Sequence, residues 1–491
     1  MAKKDIGRYI ISIDQSTQGT KALLFDNKGR LCMRADLPHR QIVNEQGWVS
    51  HDGEEIYQNT VQVIKNVLNM AQVSPDNVAG IGISNQRETA IMWDRESGRP
   101  ADYAVVWQCA RATEICERKK VRDMSDQIQQ RTGLKLSPYF TAAKICWLFE
   151  HVKGAEKKAY GTIDSYLVYR LTKGKVYATD YSNASRTQLF NIFTLEWDKE
   201  ICDCFGIDAD TLPEVKDSNA CFGYTDCEGL FTTPVPIYAV MGDSHAALFG
   251  QNCRLDGMTK ITYGTGSSIM MNIGQKPILS NNGLVTSLAW GIDGKTEYVL
   301  EGNLNYTGAV VSWLKDNVGI IQNAAETKTL ADMANKNDNL YLIPAFTGLG
   351  APYWDSGARA AFIGIDRTTG KAELVRAALE SIAYQITDIV RAMEKDSQKN
   401  IEMLRVDGGA TNNQYLMQFQ SDISGYKVLV SETEELSGTG AAFMAGMKLG
   451  LWDEEIFNTI KWKGILPKMA ATKRMQKYNG YQKAVERIRT I

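Results

Sequence analysis

Apolar strand-like runs alternate with amphipathic helical stretches along these 491 residues, and that alternation predicts an α/β protein. The hairpin-like pattern of residues 9–26 comes again at residues 259–272, which predicts a duplicated architecture with a ligand held between two halves. The length suffices for more than one domain, each with a sizeable core. The glycine-punctuated stretch 250–257 marks the boundary, giving domains 1–250 and 251–491.

The first element, YIISIDQSTQGTKALLFD, is two apolar runs around a turn of Ser16, Thr17, Gln18, Gly19 and Thr20. A strand–turn–strand of hydroxyl, amide and glycine residues gathers backbone N–H groups into one concavity that suits a polyphosphate. Asp14 ends the first run, and its carboxylate would meet phosphate only through a bridging divalent cation. An ordinary hairpin with a polar turn is the plainer alternative. Next, VAGIGIS (78–84) predicts a buried strand, residues 142–152 a helix, and residues 161–171 mixed strand and helix. In the second half MTKITYG, TSLAW and EYVLEG predict strands, residues 371–395 a long helix, and MLRVDG a strand entering a glycine turn.

Lys plus Arg (55) nearly balances Asp plus Glu (57), a net charge of −2 that offers no broad attraction for nucleic acid or anionic membrane. A small-molecule partner is expected instead. No apolar run approaches the roughly 20 residues of a membrane span. The start MAKKDIGR lacks the apolar segment of a signal peptide, so a cytoplasmic location is expected. The nine cysteines are scattered, with only Cys202 and Cys204 close together, and four histidines complete no zinc spacing. Reduced, mostly buried thiols are expected.

Four further clusters carry chemistry. In SNQRET, Arg87 and Glu88 leave a predicted strand end, where an arginine and a carboxylate can hydrogen-bond several hydroxyls; a surface ion pair is the alternative. In VVWQCAR, Trp107 could stack on the C–H face of a sugar or serve as core, and Tyr139 in LSPYF is open in the same way. In VMGDSHAALFGQ, Asp243 follows a strand and a glycine and could accept a proton from a substrate hydroxyl, or cap the helix that follows. His245 beside it is a pocket-lining candidate. In RVDGGATNNQYLMQFQSD, a strand, paired glycines and a helix follow in order, with Asn413 at the helix start within reach of a purine edge. No GxxxxGK[ST] loop occurs, so a nucleotide must be held by hairpin turns and glycine backbone.

Together these motifs resemble the FGGY carbohydrate kinases, and within them the glycerol kinases, over roughly residues 9–450. Both family signatures are present, one as YFTAAKICWLFEH (139–151) and the other across residues 360–380, with the shared runs GWVSHD, NQRET, VVWQCAR, DYSNASRTQLFN, PAFTGLGAPYWD, LESIAYQ and RVDGGA. The resemblance implies two actin-like (ribonuclease-H-like) domains closing on ATP and a polyol or sugar. It implies Mg²⁺ organised by Asp14, with Asp243 facing it, and phosphates cradled by Ser16, Thr17, Thr265 and Gly266. Lys21 stands where an arginine is usual. Gly308, Gly409 and Asn413 match nucleotide-binding positions. Arg87, Glu88, Trp107, Tyr139 and Asp243 match the acceptor site, with Asp243 as the base. Dimers or tetramers are usual in the family.

This chain departs from the glycerol kinases at Ser244, where Gln is usual, and at Ser268, where an aromatic residue is usual. Both changes shrink the pocket lining, and the second makes it more polar. Ser16 replaces a glycine in the first turn. DCEGLFTTPVP lacks the Gly- and Arg-bearing loop of fructose bisphosphate control. The expectation is therefore ATP-dependent phosphorylation of a hydroxyl, primary in kind, on a small polyol or ketose, with glycerol itself as the alternative acceptor. A non-catalytic actin-like ATPase or sensor is the rival from another class, and a dehydrogenase is excluded by the lack of a GxGxxG turn.

Overall fold

The computed structural model describes residues 8–335 and 339–490. Two mixed sheets repeat one plan. In the first, β1 (Tyr9–Gln15) and β2 (Gly19–Phe25) form the expected hairpin and β3 (Leu31–Pro38) extends it. After α1 (Gly53–Ala71), β4 (Val78–Asn85) runs parallel to β1. An excursion containing α2 (Thr141–His151) leads back to β5 (Cys221–Thr225) and β6 (Val235–Gly242), the latter parallel to β4 and followed directly by α3 (Asp243–Gly250). The sheet order is β5-β6-β4-β1-β2-β3.

The second half opens with the hairpin β7 (Thr259–Tyr263) and β8 (Ser267–Gly274), then β9 (Val285–Ile292) and β10 (Lys295–Leu304). Helices α4 (Gly308–Asp316) and α5 (Lys371–Ser397) precede β11 (Met403–Asp407), which pairs parallel to β7 as β4 does to β1. Then come α6 (Gln414–Ser424), β12 (Lys427–Ser431), α7 (Leu436–Lys448), β13 (Trp462–Ile465) and α8 (Ala471–Ile488). The order is β9-β10-β8-β7-β11-β12-β13. The stretch read as mixed resolves into a strand, Ala159–Thr162, and a helix, Ile163–Leu171.

β1 reads as a near-continuous apolar run because helices cover both of its faces. Ile11 and Ile13 join the core of α1, with Ile56, Val63 and Ile64. Ile10, with Leu23 and Phe25 of β2, packs instead with Leu436, Ala441 and Phe443 of α7, a helix more than 400 residues away in the chain. Fully burying such side chains contributes about 1.5–3 kcal/mol each. Strand alternation puts Asp14 on the same face as Ile10, at the end of β1 near the start of α7. Helices α3 and α7 also cross closely, since a Cβ on Gly440 would overlap the Ala246 carbonyl and one on Gly250 that of Leu436. All nine cysteines are free, and all but Cys32 and Cys221 are buried. No helix of the described residues is long and apolar enough to cross a membrane.

Candidate active site

Asp14 and Lys21, one step back from the first hairpin turn, and Thr262, one step back from the second, line one cavity, and both turns leave backbone donors free. In the first turn the Ser16 N–H and Oγ both donate to the Gly19 carbonyl (2.9 and 3.0 Å), so the Ser16 hydroxyl closes its own turn. Among the described residues, the N–H groups of Thr17 and Gln18 donate to no protein acceptor, and neither do those of Thr265 and Gly266 in the second turn. Each glycine-bearing turn thus offers two free N–H groups that suit anionic oxygens. A cavity of about 670 Å³ opens between the hairpins, lined by Asp14, Lys21, Thr262, Asp407, Gly408 and Gly409. That volume falls within the roughly 300–1,000 Å³ usual for small-ligand sites.

Asp14 is buried and accepts from Ser84 Oγ at 3.0 Å. Its pKa is pushed up to about 6, chiefly by burial, with Glu435 and Asp243 adding to the rise and Lys21 opposing it. Asp14 and Asp243 therefore share one electrostatic environment. Lys21 lies 3.9 Å from Asp14 and 2.6 Å from Glu435, which Arg34 also holds at 2.6 Å. Glu435 precedes α7 in the left-handed region (φ 59°), a conformation that disfavours a residue with a side chain.

On the other side, Asp243 is the first residue of α3 and Gly242 is its N-cap, so Asp243 does not cap the helix. Its Oδ1 accepts from the Ser244 N–H at 2.6 Å and lies 3.4 Å from Arg87 Nε. A Cβ on Gly242 would sit 2.7 Å from Arg87 Cγ and Cδ, so glycine there admits the arginine. Arg87 is a buried strut: both terminal nitrogens donate to Glu301, at 2.8 and 3.0 Å. Glu88, at φ 61°, accepts from Arg186 Nε at 2.6 Å, and Arg186 also meets Glu301 at 3.0 Å. Burial opposes the Arg87 charge, but Glu301 and Glu88 outweigh it and hold its pKa well above the ordinary value. Burial likewise opposes the Glu301 charge, yet Arg186 and Arg87 keep its carboxylate well below the usual range. Glu301 and Arg186 were missed as site residues; Arg186 lies in DYSNASRTQLFN, a run quoted for the family, and Glu301 in EYVLEG, read only as a strand.

Trp107 is half-buried; its indole Nε1 donates to Thr17 Oγ1 at 3.0 Å and its ring meets Tyr139 edge to face at 5.5 Å. This links the acceptor wall to the first phosphate turn. Lys260, also unforeseen, is fully buried and donates to Thr262 Oγ1 (3.1 Å) and Ser268 Oγ (3.3 Å). Burial lowers its pKa, with Asp407, Glu301 and Asp243 opposing. Three expected residues have local duties. Gly308 donates its N–H to the Gly264 carbonyl at 3.0 Å, locking α4 onto the second turn. Asn413 is the N-cap of α6, its Oδ1 accepting from Leu416 and its Nδ2 donating to Thr327. His245 does not line the pocket: it is fully buried, with Nε2 3.3 Å from Ser287 Oγ. Gly409 stands at the cavity edge with open space where a Cβ would go.

Comparison with known proteins decides the family. Residues 9–250 match the N-terminal domain of the FGGY family of carbohydrate kinases, and residues 259–449 match its C-terminal domain. The chain belongs to the FGGY family of carbohydrate kinases. It is 46% identical to proteins named glycerol kinase from Natranaerobius thermophilus (98% of each chain) and glycerol kinase 1 from Thermotoga maritima (98% of this chain, 100% of that one). The crystal structure of Plasmodium falciparum glycerol kinase with ADP superposes with a TM-score of 0.92 at 34% identity, covering 98% of both chains. The fold is thus the two-domain actin-like kinase fold, and the FGGY protein is an ATP-dependent phosphotransferase with a polyol hydroxyl as acceptor.

Proposed function

We propose that this kinase phosphorylates a primary hydroxyl of a small polyol or ketose, with Asp243 accepting the hydroxyl proton. The observation that carries it is that Asp243, at the start of α3, lies 3.4 Å from the buried Arg87, which Glu88 also approaches and Glu301 clasps; the Asp243 charge also reaches Asp14. Arg87 and Glu88, fixed by Glu301 and Arg186, would orient the other acceptor hydroxyls. The free N–H groups of both turns and Lys21 would hold the triphosphate in line with the acceptor. Residues 1–250 would carry the acceptor site and the first phosphate turn, and residues 251–491 the second turn and the nucleoside.

The donors fit Mg²⁺. Asp14, buried, and Asp243, partly exposed, offer hard oxygens in a carboxylate-rich place, and Asp407 has a buried Oδ1 with no partner among the described residues. No cluster of three metal-ligating side chains occurs among the described residues, which suits an ion held by one or two carboxylates and substrate phosphates. When bound, Mg²⁺ would neutralise charge on the transferring phosphoryl group.

Asp243→Asn tests the reading: kcat falls by about 10²–10⁴-fold, while calorimetric binding of the acceptor stays close to wild type. Near-normal turnover would overturn it. Glycerol as the acceptor is the second reading, favoured by the 46% identity to proteins named glycerol kinase.

A further inference from the structure

Strand register turns one face of the second sheet into a polar wall. Lys260 pairs with Met270 and Thr262 with Ser268 across β7 and β8, while Ser268 pairs with Asn303 and Met270 with Glu301 across β8 and β10. Residues directly opposite share a face, so Lys260, Thr262, Ser268, Asn303 and Glu301 look the same way. Glu301 fixes that direction, because it clasps Arg87 beside Asp243. Ser268 and Asn303 are only partly buried, so this face of the sheet keeps some access to solvent.

In the proposed reading, the reacting contact at Asp243 and the Arg87–Glu88 pair would serve the hydroxyls of a three-carbon acceptor. The wall then holds polar functions with hydrogen-bonding capacity to spare. Lys260 has three N–H groups and two hydroxyl acceptors, with no carboxylate within 4 Å among the described residues. The Ser268 hydroxyl receives Lys260 and donates to no described residue. The Asn303 amide donates to Glu301 at 2.9 Å, which leaves its Oδ1 free. A buried ammonium with an unused donor favours an oxygen acceptor. Charge separates the ligand classes. Arg87, Arg186 and Lys260 face Glu88, Glu301, Asp243 and Asp407, three cations against four carboxylates. A substrate carboxylate would add to the surplus, whereas neutral hydroxyls would not.

Resting on the kinase reading above, we propose that Ser268 and Asn303, with Lys260 buried behind them, form a subsite for the additional hydroxyls of a neutral acyclic polyol of four or five carbons. Lys260, which has no exposed surface, would orient the Ser268 hydroxyl by donating to it, the Ser268 hydroxyl would donate to a substrate oxygen, and Asn303 Oδ1 would accept from a substrate hydroxyl.

The test is steady-state kcat/KM of the full chain with ATP and Mg²⁺ on glycerol, a tetritol, two pentitols and an aldonate. Wild type should use at least one tetritol or pentitol at least tenfold better than glycerol. Ser268→Phe, which fills the subsite, and Asn303→Ala, which removes its acceptor, should each lower the ratio of that polyol to glycerol at least tenfold. The ratio stays informative even if both variants lose overall activity. A tenfold preference of wild type for glycerol or for the aldonate would overturn the subsite while leaving the kinase reading intact. Equal losses on all acceptors in both variants would overturn it too. ATP hydrolysis without any phosphorylated polyol would instead remove the kinase reading and the subsite with it.

Discussion

One step back from its turn, the hairpin of β1 and β2 pairs Asp14 with Lys21, whereas the equivalent pair in the hairpin of β7 and β8 is Thr262 with Ser268. The two hairpins follow one path, each with a parallel neighbour on its first strand. They are braced differently. The first turn adds side-chain bonds to its backbone bond from the His39 N–H to the Gln18 carbonyl (3.2 Å): His39 Nε2 donates to the Thr17 carbonyl and Trp107 to the Thr17 hydroxyl, both at 3.0 Å. Backbone holds the second: Thr307 and Ala309 donate to the Thr265 carbonyl and Gly308 to that of Gly264, each at 3.0 Å. Duplication thus conserves the cradle and divides the labour. The first turn answers to side-chain chemistry and pH, the second to the room its glycines leave.

The contrast breaks first where the halves meet. Glu301 comes from the second half and Arg87 from the first, and Glu301→Gln leaves two buried guanidiniums facing a neutral amide. Removing one partner of a buried pair costs about 3–5 kcal/mol, so the urea midpoint should fall by the equivalent of that amount. A change below about 1 kcal/mol would show that the clasp adds no more than a surface pair.

A matched pair of glycine variants sharpens the contrast. At Gly266 a Cβ would overlap the Leu304 carbonyl, on β10 inside the sheet; at Gly19 it would sit 2.7 Å from the Leu37 carbonyl, on edge strand β3. An edge strand can yield where an interior one cannot. Overpacking typically costs 1–3 kcal/mol, so Gly266→Ala should lose about 3 kcal/mol and Gly19→Ala about 1 kcal/mol in urea unfolding. Equal losses would mean that both turns are held alike.

The hairpins, the strand at residues 78–84 and the helix at 371–395 were legible because each shows its own local pattern, apolar runs punctuated by glycine and polar turns. The places of Asp14 near the end of β1 and Asp243 just after β6 were legible for the same reason, as carboxylates at the ends of strand-like runs. The covering of β1 by α7 was not, since no local pattern shows which distant helix meets Ile10 and Leu23. Nor were Lys260 and Glu301. They sit inside MTKITYG and EYVLEG, read as apolar strands, and a charge facing inward there makes sense only with Arg87 or Ser268 in view. Gly308 and Asn413 teach the converse lesson: a residue type that suits a nucleotide site also suits a helix start.

The smallest expected effect is confined to the first hairpin. Beneath its turn the rings of His39 and His51 meet edge to face at 4.7 Å. Because the Thr17 carbonyl can only accept, His39 carries its hydrogen on Nε2 and leaves a buried Nδ1 without a partner among the described residues. Gln86 donates to His51 Nδ1 at 3.3 Å, so His51 is neutral with its hydrogen on Nε2. Burial, reinforced by His39, pushes the His51 pKa down to about 3. In the unfolded chain a histidine titrates near ~6.5. Between those values the unfolded chain binds the extra proton, so stability rises with pH across the window and is lost as pH falls below about 6.5. One such site contributes about 1.4 kcal/mol per pH unit well inside the window, and less near its upper edge. His51→Gln, which keeps a neutral hydrogen-bonding side chain, should reduce the loss between pH 6.5 and 5.5 by about 1 kcal/mol. Urea midpoints at the two pH values measure it, and amide exchange should show the protection regained around Thr20 and not around Ser268. An unchanged pH slope in His51→Gln would mean that acid sensitivity does not reside under the first turn.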